Sequence, residues 1–518
     1  MSTDPAVTND DVRTLHAMGY PQELARRMSE FSNYAISLSI ICILSGGITS
    51  FHLGLCSVGG PSMSLGWPLV CLLALAFAAT MGQVASAFPT AGGLYHWASI
   101  LGGRGWGWAT AWFNLAGLVT ATAAVNVGAF EFVLGAFGPF AGLDPNALTA
   151  VEREFLQLPA VLAITYSQAL FNHKGIKTTT RLTDLSGYLI LIVTIALTAS
   201  MLIFASQFDF LRLVTFANYS GIPAGDVVWP RTDNVLWLFA LGFILPAYTV
   251  TGFDASAHTA EETVGAARAV PRGIVRSALV SGVFGWVMLV AIVLAIPDMD
   301  LAAQQGKNSF IWIVNQVLPE GLAITLFIGI AVTQYCCGLA CITSASRMTF
   351  AFARDGGLPG SRWLRRVSPS HRTPSSAIWM VATLTVAFTV YTPVYSTMTT
   401  VCIIFLYISY MIPTFFGLLA YGRTWTKMGP WTLGRWYRPL ASVCVLGGIG
   451  LFVIGVQPPN EEALWVVLGA VGFLFAFWFG FVSRRFEGPP QGVMIQKRQA
   501  EIAVEEQAVG ESRIAGSR

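Results

Sequence analysis

The chain has 518 residues, of which 54% are hydrophobic and only 11% are charged, and its formal net charge is +3. A soluble globular protein carries about 25% charged residues, so the composition excludes an ordinary soluble domain and indicates a chain surrounded largely by lipid. The small net charge gives no reason to expect a nucleic-acid partner. The eight cysteines lie in apolar segments without CxxC spacing, which predicts buried free thiols and neither disulfides nor a metal site.

Apolar segments separated by polar breaks predict twelve transmembrane spans, because a helix needs about 20 apolar residues to cross a bilayer. In chain order the spans are expected near 34–57, 65–88, 105–137, 155–172, 185–207, 235–257, 274–296, 321–350, 376–394, 396–421, 440–456 and 463–482. The third and the eighth are longer than a perpendicular helix requires, which implies tilt.

The distribution of Lys and Arg tests this assignment of spans. The side that carries the N-terminus receives 26 of the 30 basic residues, and the other side receives only four: Arg153, Arg212, Arg231 and Lys307. Basic residues concentrate on the cytoplasmic side of membrane proteins. The asymmetry therefore predicts a multi-pass protein of the cell (plasma or inner) membrane with both termini in the cytoplasm.

Two spans contain residues that weaken a helix partway along its length. Span one has the pair Gly46–Gly47 near its centre, and span six has Pro246 upstream of Gly252 and Asp254. Irregular backbone survives within a membrane only where it is buried in protein or lines a cavity. Spans one and six are five apart, and interrupted helices at matching positions of two halves are typical of inverted-repeat transporters.

The chemistry of such breaks favours a zwitterionic ligand. An opened span one would present free N–H groups and the positive end of a half-helix dipole to a carboxylate. The expected amide donors are Ser45, Gly46, Gly47 and Ile48. An opened span six would present carbonyl oxygens to an ammonium group, and the expected carbonyls are those of Tyr248, Thr249 and Thr251.

Both breaks also have a purely structural interpretation. Small residues such as Gly46 and Gly47 are common where membrane helices pack together. A carboxylate within a span costs about 2.5–3.5 kcal/mol on insertion scales, which favours a functional role for Asp254. Alternatively, Asp254 caps the inner half of helix 6 by accepting the N–H groups of Ser256 or Ala257. The residues leave both interpretations open.

Four stretches of the sequence resemble those of amino acid–polyamine–organocation (APC) permeases. They are "GFDASAHTAEETVGAARAVPRGI" after span six, "FPTAGGLYHWASILGGRGWGWATAWFN" before and within span three, "FNHKGIKTTTRL" before span five, and "SASRMTFAFARDGGLPGSRWLRRV" at the end of span eight. The form "DASAHTAEET" is similar to the branch that carries GABA, other amino acids and choline. The resemblance covers roughly residues 30–480.

This resemblance implies an all-α membrane protein with a LeuT-type fold. Two inverted five-helix repeats would be followed by two further helices, and helices 1 and 6 would be broken. A cytoplasmic N-terminal segment, the first repeat, the second repeat, helices 11 and 12, and a flexible cytoplasmic tail would then correspond to 1–33, 34–207, 235–421, 440–482 and 483–518.

The resemblance also implies roles by position. The break that binds the substrate carboxylate would correspond to Ser45, Gly46, Gly47 and Ile48. The carbonyls that bind the amine would be those of Thr249, Val250 and Thr251, and Tyr248 would be an aromatic lid over the substrate. Asp254 completes this set of candidate substrate-binding residues.

Further polar residues within the spans are candidates for the pocket or for an ion site. The pocket candidates are Asn114, Glu131, Gln334, Tyr335 and Tyr407. Each of them could instead be an ordinary interhelical hydrogen-bonding group, and Glu131 could be an interfacial acid. The ion-site candidates are Thr343 and Ser344, whose oxygens would suit sodium.

Span five contains no Lys, Arg, Asp, Glu or His. It therefore lacks the lysine that some proton-coupled relatives place there, and the coupling ion, H⁺ or Na⁺, stays open. We expect no cofactor.

Charged residues beyond span six predict contacts on the cytoplasmic side. Glu261 and Glu262 are expected near Arg268, Arg272 and Arg276, either as an inner gate or as a solvated cluster. The segment before span one is amphipathic enough to lie along the membrane surface.

These observations predict a secondary active transporter with the bilayer and a small-molecule substrate as its partners, and the resemblance implies that it works by alternating access. GABA or another small neutral or ω-amino acid is the expected substrate. Choline or a polyamine is the alternative, with Asp254 or Glu131 as the partner of the cation. A non-transporting membrane sensor is the alternative from another class. No cluster with metal-ligand spacing and no nucleophile–base pair indicates an enzyme. The oligomeric state stays open.

Overall fold

Long apolar helices make up most of the structure, as the composition predicts. The structure is a computed structural model, and it describes residues 5–138, 142–143, 148–224, 227–391, 395–499, 501–502 and 506. Within these residues, nine helical stretches are long and apolar enough to cross a membrane: Glu30–Thr49, Ser62–Ala87, Arg104–Phe137, Ile176–Phe204, Ala266–Ala295, Glu320–Arg354, Met398–Ala420, Gly434–Gly455 and Glu461–Val482.

The other three predicted spans also fall on helices. Spans six and nine coincide with the shorter apolar helices Val235–Thr249 and Ser375–Tyr391. Span four coincides with Ala150–His173, which begins at a capping box formed by Thr149 and Glu152. The described residues form helices, turns and irregular segments, with two isolated bridges as their only extended pairing. The described part of the chain is therefore an all-helical membrane protein.

The α-helices are numbered along the chain. They are α1 (Pro5–Ala17), α2 (Glu30–Ile41), α3 (Ile43–Thr49), α4 (Phe51–Val58), α5 (Trp67–Ala87), α6 (Leu94–Gly102), α7 (Arg104–Phe137), α8 (Ala150–His173), α9 (Ile176–Phe204), α10 (Val235–Leu241), α11 (Ile244–Thr249), α12 (Ala255–His258), α13 (Ala266–Ala295), α14 (Met299–Gln304), α15 (Ser309–Val317), α16 (Glu320–Arg354), α17 (Ser361–Leu364), α18 (Ser375–Tyr391), α19 (Tyr395–Ala420), α20 (Tyr437–Gly455) and α21 (Glu461–Phe477).

Two interrupted helices lie side by side at the centre of the bundle. Helix 1 consists of α2, α3 and α4, and helix 6 consists of α10, α11 and α12. The segments α3 and α11 contact each other, and α7, α16 and α19 pack around them. Every residue of α11 and nearly every residue of α3 is buried. Their irregular backbone is therefore enclosed by protein, as the hydrocarbon interior of a membrane requires.

Residues 5–28 pack against the protein on the side where α2 begins, which we call the N-terminal side. Leu15, Tyr20, Leu24 and Met28 are all buried. A helix on the membrane surface would instead turn its apolar side chains towards lipid. The prediction of a surface-lying segment is thus corrected, because these apolar side chains find partners within the protein.

Part of the predicted flexible tail is also packed. Phe486 is buried and its ring lies 6.4 Å from that of Tyr95 and 6.1 Å from that of Phe352. Glu506 lies 2.8 Å from Nε2 of His16. Residues 500, 503–505 and 507–518 lie outside the described residues.

Candidate substrate-binding site

The break in helix 6 is the five residues 250–254, whose irregular backbone is stabilised by a hydrogen bond to α19. The α11 helix ends with the Val250 amide, which donates to the Pro246 carbonyl at 2.9 Å. Gly252 follows with φ +87°, and a Cβ atom there would lie 2.2 Å from Cγ2 of Ile40. The Gly252 amide donates to the Tyr410 hydroxyl at 3.0 Å. Both the backbone conformation and the close approach of helix 1 therefore require glycine at this position.

The break in helix 1 lies three residues earlier than the sequence predicts. The helix is interrupted first at Cys42, with φ 8° and ψ 88°, and again at Ser50, between α3 and α4. The Cys42 carbonyl accepts from the amides of Ser45 at 2.8 Å and Gly46 at 3.0 Å. These two amides, which were expected to be free, are thus bonded in the structure. Gly46 instead permits a close contact between helices, since a Cβ atom there would lie 2.8 Å from Cα of Thr249.

A small cavity lies between the two breaks. Its wall consists of Ile40, Ile41, Ser45, Gly46, Leu118, Ala121, Val125, Tyr248, Thr249, Thr251, Gly252, Cys341, Cys402 and Leu406. No acidic or basic side chain belongs to this wall within the described part of the chain. The cavity therefore combines two backbone interruptions with a largely apolar surface supplied by α7, α16 and α19.

The predicted substrate-binding residues divide into two groups. Five of them line the cavity: Ser45, Gly46, Tyr248, Thr249 and Thr251. Gly47, Ile48, Val250 and Asp254 do not belong to its wall. The two threonine hydroxyls are turned to their own helix, because Thr249 donates to the Leu245 carbonyl and Thr251 to the Tyr248 carbonyl, both at 2.8 Å.

Asp254 lies behind the break and is fully buried. Its Oδ1 accepts from the Tyr410 hydroxyl at 2.8 Å, and its Oδ2 accepts from Nδ2 of Asn114 at 3.0 Å. Its side chain accepts no N–H group of α12, and the Ser256 amide donates to the Ser37 hydroxyl instead. The predicted capping role of Asp254 is thus wrong in its details, although the residue does organise the break through Tyr410.

His258 is a partner of Asp254 that the sequence analysis did not single out. It is fully buried, and its Nε2 lies 3.2 Å from Oδ2 of Asp254. Its Nδ1 lies 3.2 Å from the carbonyl oxygen of Ala91, in the loop before α6. The available signal was the spacing, because residues four apart lie on the same face of a helix.

Comparison with known proteins identifies the family. The family described as amino acid permease matches residues 28–496, which is most of the chain. The chain belongs to this family. Amino-acid permease BAT1 of Arabidopsis thaliana is 29% identical over 95% of this chain and 98% of its own length. The GABA-specific permease of Saccharomyces cerevisiae is 26% identical, covering 89% and 80% of the two chains, and a putative polyamine transporter of Candida albicans is 25% identical, covering 94% and 90%.

These relatives confirm the predicted membership of the APC superfamily. The permease is a membrane transporter of amino acids or amines and not an enzyme.

The remaining pocket candidates of the permease have varied surroundings. Asn114 contacts Asp254, and Glu131 lies 2.5 Å from Arg153, with both side chains about one-third exposed. The Tyr335 hydroxyl lies 2.9 Å from that of Ser167. Gln334 and Tyr407 are buried, and their side-chain polar atoms have no hydrogen-bond partner within the described residues. Of these five residues, Asn114 has the hydrogen bond to Asp254 that links it to the break in helix 6.

The hydroxyl groups of the two candidates for sodium binding have different surroundings. The Thr343 hydroxyl donates to Oδ1 of Asn172 at 2.7 Å and is also within bonding distance of the Leu339 carbonyl. The Ser344 hydroxyl is buried with no hydrogen-bond partner within the described part of the permease. Thr343 therefore faces α8 rather than helix 1.

Two buried ion pairs join the residues just after α12 to α16. They lie on the N-terminal side of the protein. Glu261 accepts both terminal nitrogens of Arg354 at 2.9 and 2.7 Å, and Glu262 accepts Nε and Nη2 of Arg347 at 2.9 and 3.2 Å. These partners differ from the arginines of α13 that the sequence suggested. Arg272 and Arg276 instead lie beside Glu30, where all three side chains are exposed.

The segment before α2 covers this end of helix 6. The amides of Arg27 and Met28 both donate to the Glu262 carbonyl at 2.8 Å. Asp11 accepts the amides of Gly265 at 2.7 Å and Ala266 at 3.1 Å, where α13 begins. Burial raises the pKa of the Asp11 carboxyl above its ordinary value, although Arg26 acts in the opposite direction. Residues 11–28 thus cover the end of helix 6 on the N-terminal side of the permease.

Proposed function

We propose that the permease moves a small neutral amino acid, GABA or another ω-amino acid, across the cell membrane by alternating access. The cavity between the two breaks is the observation that carries this proposal. We propose further that the twelve helices follow the LeuT-type arrangement of two inverted five-helix repeats. The lateral contact of α3 with α11 is what such a pair of interrupted helices would make.

The wall of the cavity suits the two ends and the middle of such a substrate. The substrate carboxylate would approach helix 1 at Ser45 and Gly46, and its ammonium group would approach the carbonyls of helix 6 near Thr249 and Thr251. Tyr248 would cover the substrate. The aliphatic part would contact the apolar side chains of α7, α16 and α19.

The absence of an acidic side chain from the described wall favours a zwitterion over a free cation. Choline and polyamines have no carboxylate, so their charge would need a counter-ion in the protein. Asp254 is one candidate, but its carboxyl group already lies against Tyr410, Asn114 and His258. A cation would therefore have to displace one of these groups.

Uptake into proteoliposomes tests the proposed function. The purified permease would be assayed with labelled GABA, a series of neutral and ω-amino acids, choline and putrescine, with and without gradients of H⁺ and Na⁺. Saturable uptake of amino acids, with little competition from choline or putrescine, is expected. If only the amines without a carboxylate are taken up, the proposed substrate class is wrong.

Two opposite changes of the cavity wall locate the site. Ala121→Leu adds volume to the wall and should shift the preference towards smaller amino acids. Val125→Ala removes volume and should shift it towards larger ones. Both residues belong to the wall and are buried, and both substitutions keep it apolar. Unchanged preferences in both well-folded variants would show that substrate binds elsewhere.

We also propose that both termini lie in the cytoplasm. The excess of Lys and Arg on the N-terminal side supports this orientation. A fluorescent protein that matures only in the cytoplasm, fused to the C-terminus, should fluoresce in intact cells. A dark but fully expressed fusion would reverse the orientation.

A further inference from the structure

The hydrogen-bond geometry of His258 fixes the number of protons on the buried Asp254–His258 pair. Nδ1 lies 3.2 Å from the Ala91 carbonyl oxygen, which can only accept, so Nδ1 carries a hydrogen. Nε2 lies 3.2 Å from Oδ2 of Asp254. A carboxylate also only accepts, so either Nε2 carries a second hydrogen or the carboxyl group is itself protonated.

In both cases the pair holds one proton more than a carboxylate beside a neutral imidazole. Without this proton, two lone pairs would face each other across 3.2 Å, and a net negative charge would remain in a site where both side chains are fully buried. An uncompensated buried charge is costly. The observed arrangement is therefore the protonated state of the pair, and loss of the proton would favour a rearrangement.

A continuous set of hydrogen bonds connects this proton to the wall of the cavity. Gly252 belongs to the wall, and its amide donates to the Tyr410 hydroxyl. The same hydroxyl donates to Oδ1 of Asp254, whose Oδ2 faces His258. The charge state of the pair and the backbone conformation of the break are therefore linked through Tyr410.

Groups from several other elements pack around the pair. From α7 comes Asn114, and from α19 come Tyr410 and the thiol of Cys402, which is close enough to interact electrostatically with Asp254. From the loop before α6, Ala91 accepts from His258 and donates its amide to Glu261 at 3.1 Å. Glu261 is itself paired with Arg354 of α16. The imidazole of His258 is thus the group in contact with Asp254 that can both give up and take up a proton at a ring nitrogen.

We propose that the Asp254–His258 pair holds the proton that the permease carries together with its substrate. This inference rests on the proposed transport function and adds the coupling ion to it. In the structure the ion pairs of Glu261 and Glu262 cover the N-terminal side of the pair, and both Asp254 and His258 are fully buried. When the inner half of helix 6 moves away from Ala91 and the Glu261–Arg354 pair opens, water reaches His258 and accepts the proton. A proton from the opposite side restores the pair after the return.

The first test uses the unmodified permease. Proteoliposomes containing a pH-sensitive dye start with no pH gradient. Labelled GABA, or the amino acid that is taken up best in the uptake assay, is then added to the outside. Substrate entry should acidify the lumen, and an imposed gradient of one pH unit should support about tenfold accumulation for one proton per substrate. Uptake without any change of luminal pH would overturn the inference while leaving the proposed transport function intact. Absence of uptake or exchange of every compound in the panel would instead remove the proposed function.

A matched pair of histidine variants locates the proton. His258→Gln should retain exchange of labelled for unlabelled substrate but lose accumulation driven by the pH gradient, so that the ratio of internal to external substrate falls to about one. His96→Gln is the control. His96 is also buried beside an aspartate, with Nε2 3.1 Å from Asp355, but its Nδ1 lies 2.5 Å from the Thr90 hydroxyl, which can donate as well as accept.

The geometry of His96 therefore requires no additional proton, and His96→Gln should keep the proton-driven accumulation. Proton-driven accumulation by a well-folded His258→Gln variant would overturn the inference. If that variant does not fold, the dye measurement on the unmodified permease still tests whether a proton enters with the substrate.

Discussion

Helix 6 and the 3₁₀ turn that follows it contain two sets of buried acids that differ in the chemistry of their partners. Near the N-terminal side, Glu261 and Glu262 face the guanidinium groups of Arg354 and Arg347. At the break, Asp254 faces an imidazole, a phenol and an amide. A guanidinium group stays charged at any physiological pH, whereas an imidazole exchanges its proton near neutrality. The first set therefore keeps its charges whether or not the pairs are formed, whereas the second can change its protonation state.

The difference also shows in geometry. The arginine pairs are bidentate, with distances between 2.7 and 3.2 Å, and they bridge to a different helix. Asp254 and His258 lie four residues apart in one segment, so their contact involves little of the rest of the fold. Opening of the N-terminal side must break the bridges to α16, but it can leave the Asp254–His258 pair within the moving segment.

The largest loss of stability is expected from removing one member of a buried glutamate–arginine pair. Arg347→Met leaves Glu262 buried without its cation and should lower the free energy of unfolding by about 3–5 kcal/mol. Reversible denaturation in mixed micelles measures this change. The double variant Arg347→Met, Glu262→Gln removes both charges and should recover most of the loss.

The exposed pair of Arg276 and Glu30 provides the control for this prediction. These side chains are 58% and 41% exposed, and solvent screening leaves such pairs with about 0–1 kcal/mol. Arg276→Met should therefore be nearly neutral. If Arg347→Met is equally mild, the buried pair does not attach helix 6 to α16, and the contrast with Asp254 fails.

A smaller loss of stability is expected from a substitution in the break of helix 6. Gly252→Ala places a side chain at φ +87°, which costs about 1–2 kcal/mol, and forces its Cβ against Ile40. The overpacking adds a similar amount, so the total should be about 2–4 kcal/mol. Thermal unfolding in detergent measures the loss. Adding Ile40→Ala should relieve only the steric part.

Gly135→Ala in α7 is the matched control, because a Cβ atom there meets nothing within 4 Å. This variant should be neutral or slightly stabilising, since alanine favours helix. Equal stability of the Gly252→Ala variant and the unmodified permease would contradict the strained geometry of the break.

The sequence predicts the break of helix 6 better than that of helix 1. Gly252 adopts the backbone conformation that favours glycine, so residue type and structure agree at this position. In helix 1 the first interruption is at Cys42, a residue type that carries no signal for a break, whereas Gly46 permits close packing against Thr249. Glycine identifies a place where backbone needs room, but it does not distinguish an interruption from a helix contact.

The sequence also failed to predict which distant segments contact each other. Glu261 was expected near arginines a few residues along the chain, but it pairs with Arg354, 93 residues away. Hydropathy and the positive-inside rule predict helices and sides, and neither specifies which faces of the helices meet. The Asp254–His258 contact, by contrast, depends on local spacing and was accessible from the sequence.

The smallest loss of stability is expected from Tyr410→Phe. This change is also the most specific to Asp254 and its partners at the break. The variant removes a hydroxyl that accepts from Gly252 and donates to Asp254, so two buried polar groups lose a partner, at a cost of about 1–3 kcal/mol. Tyr407→Phe is the control on the same helix, because the Tyr407 hydroxyl is buried with no hydrogen-bond partner within the described residues. Thermal unfolding should separate the two variants, with Tyr407→Phe unchanged. Equal stabilities would show that Tyr410 does not connect the break to Asp254, and the path from the cavity to the proton would then lack its central link.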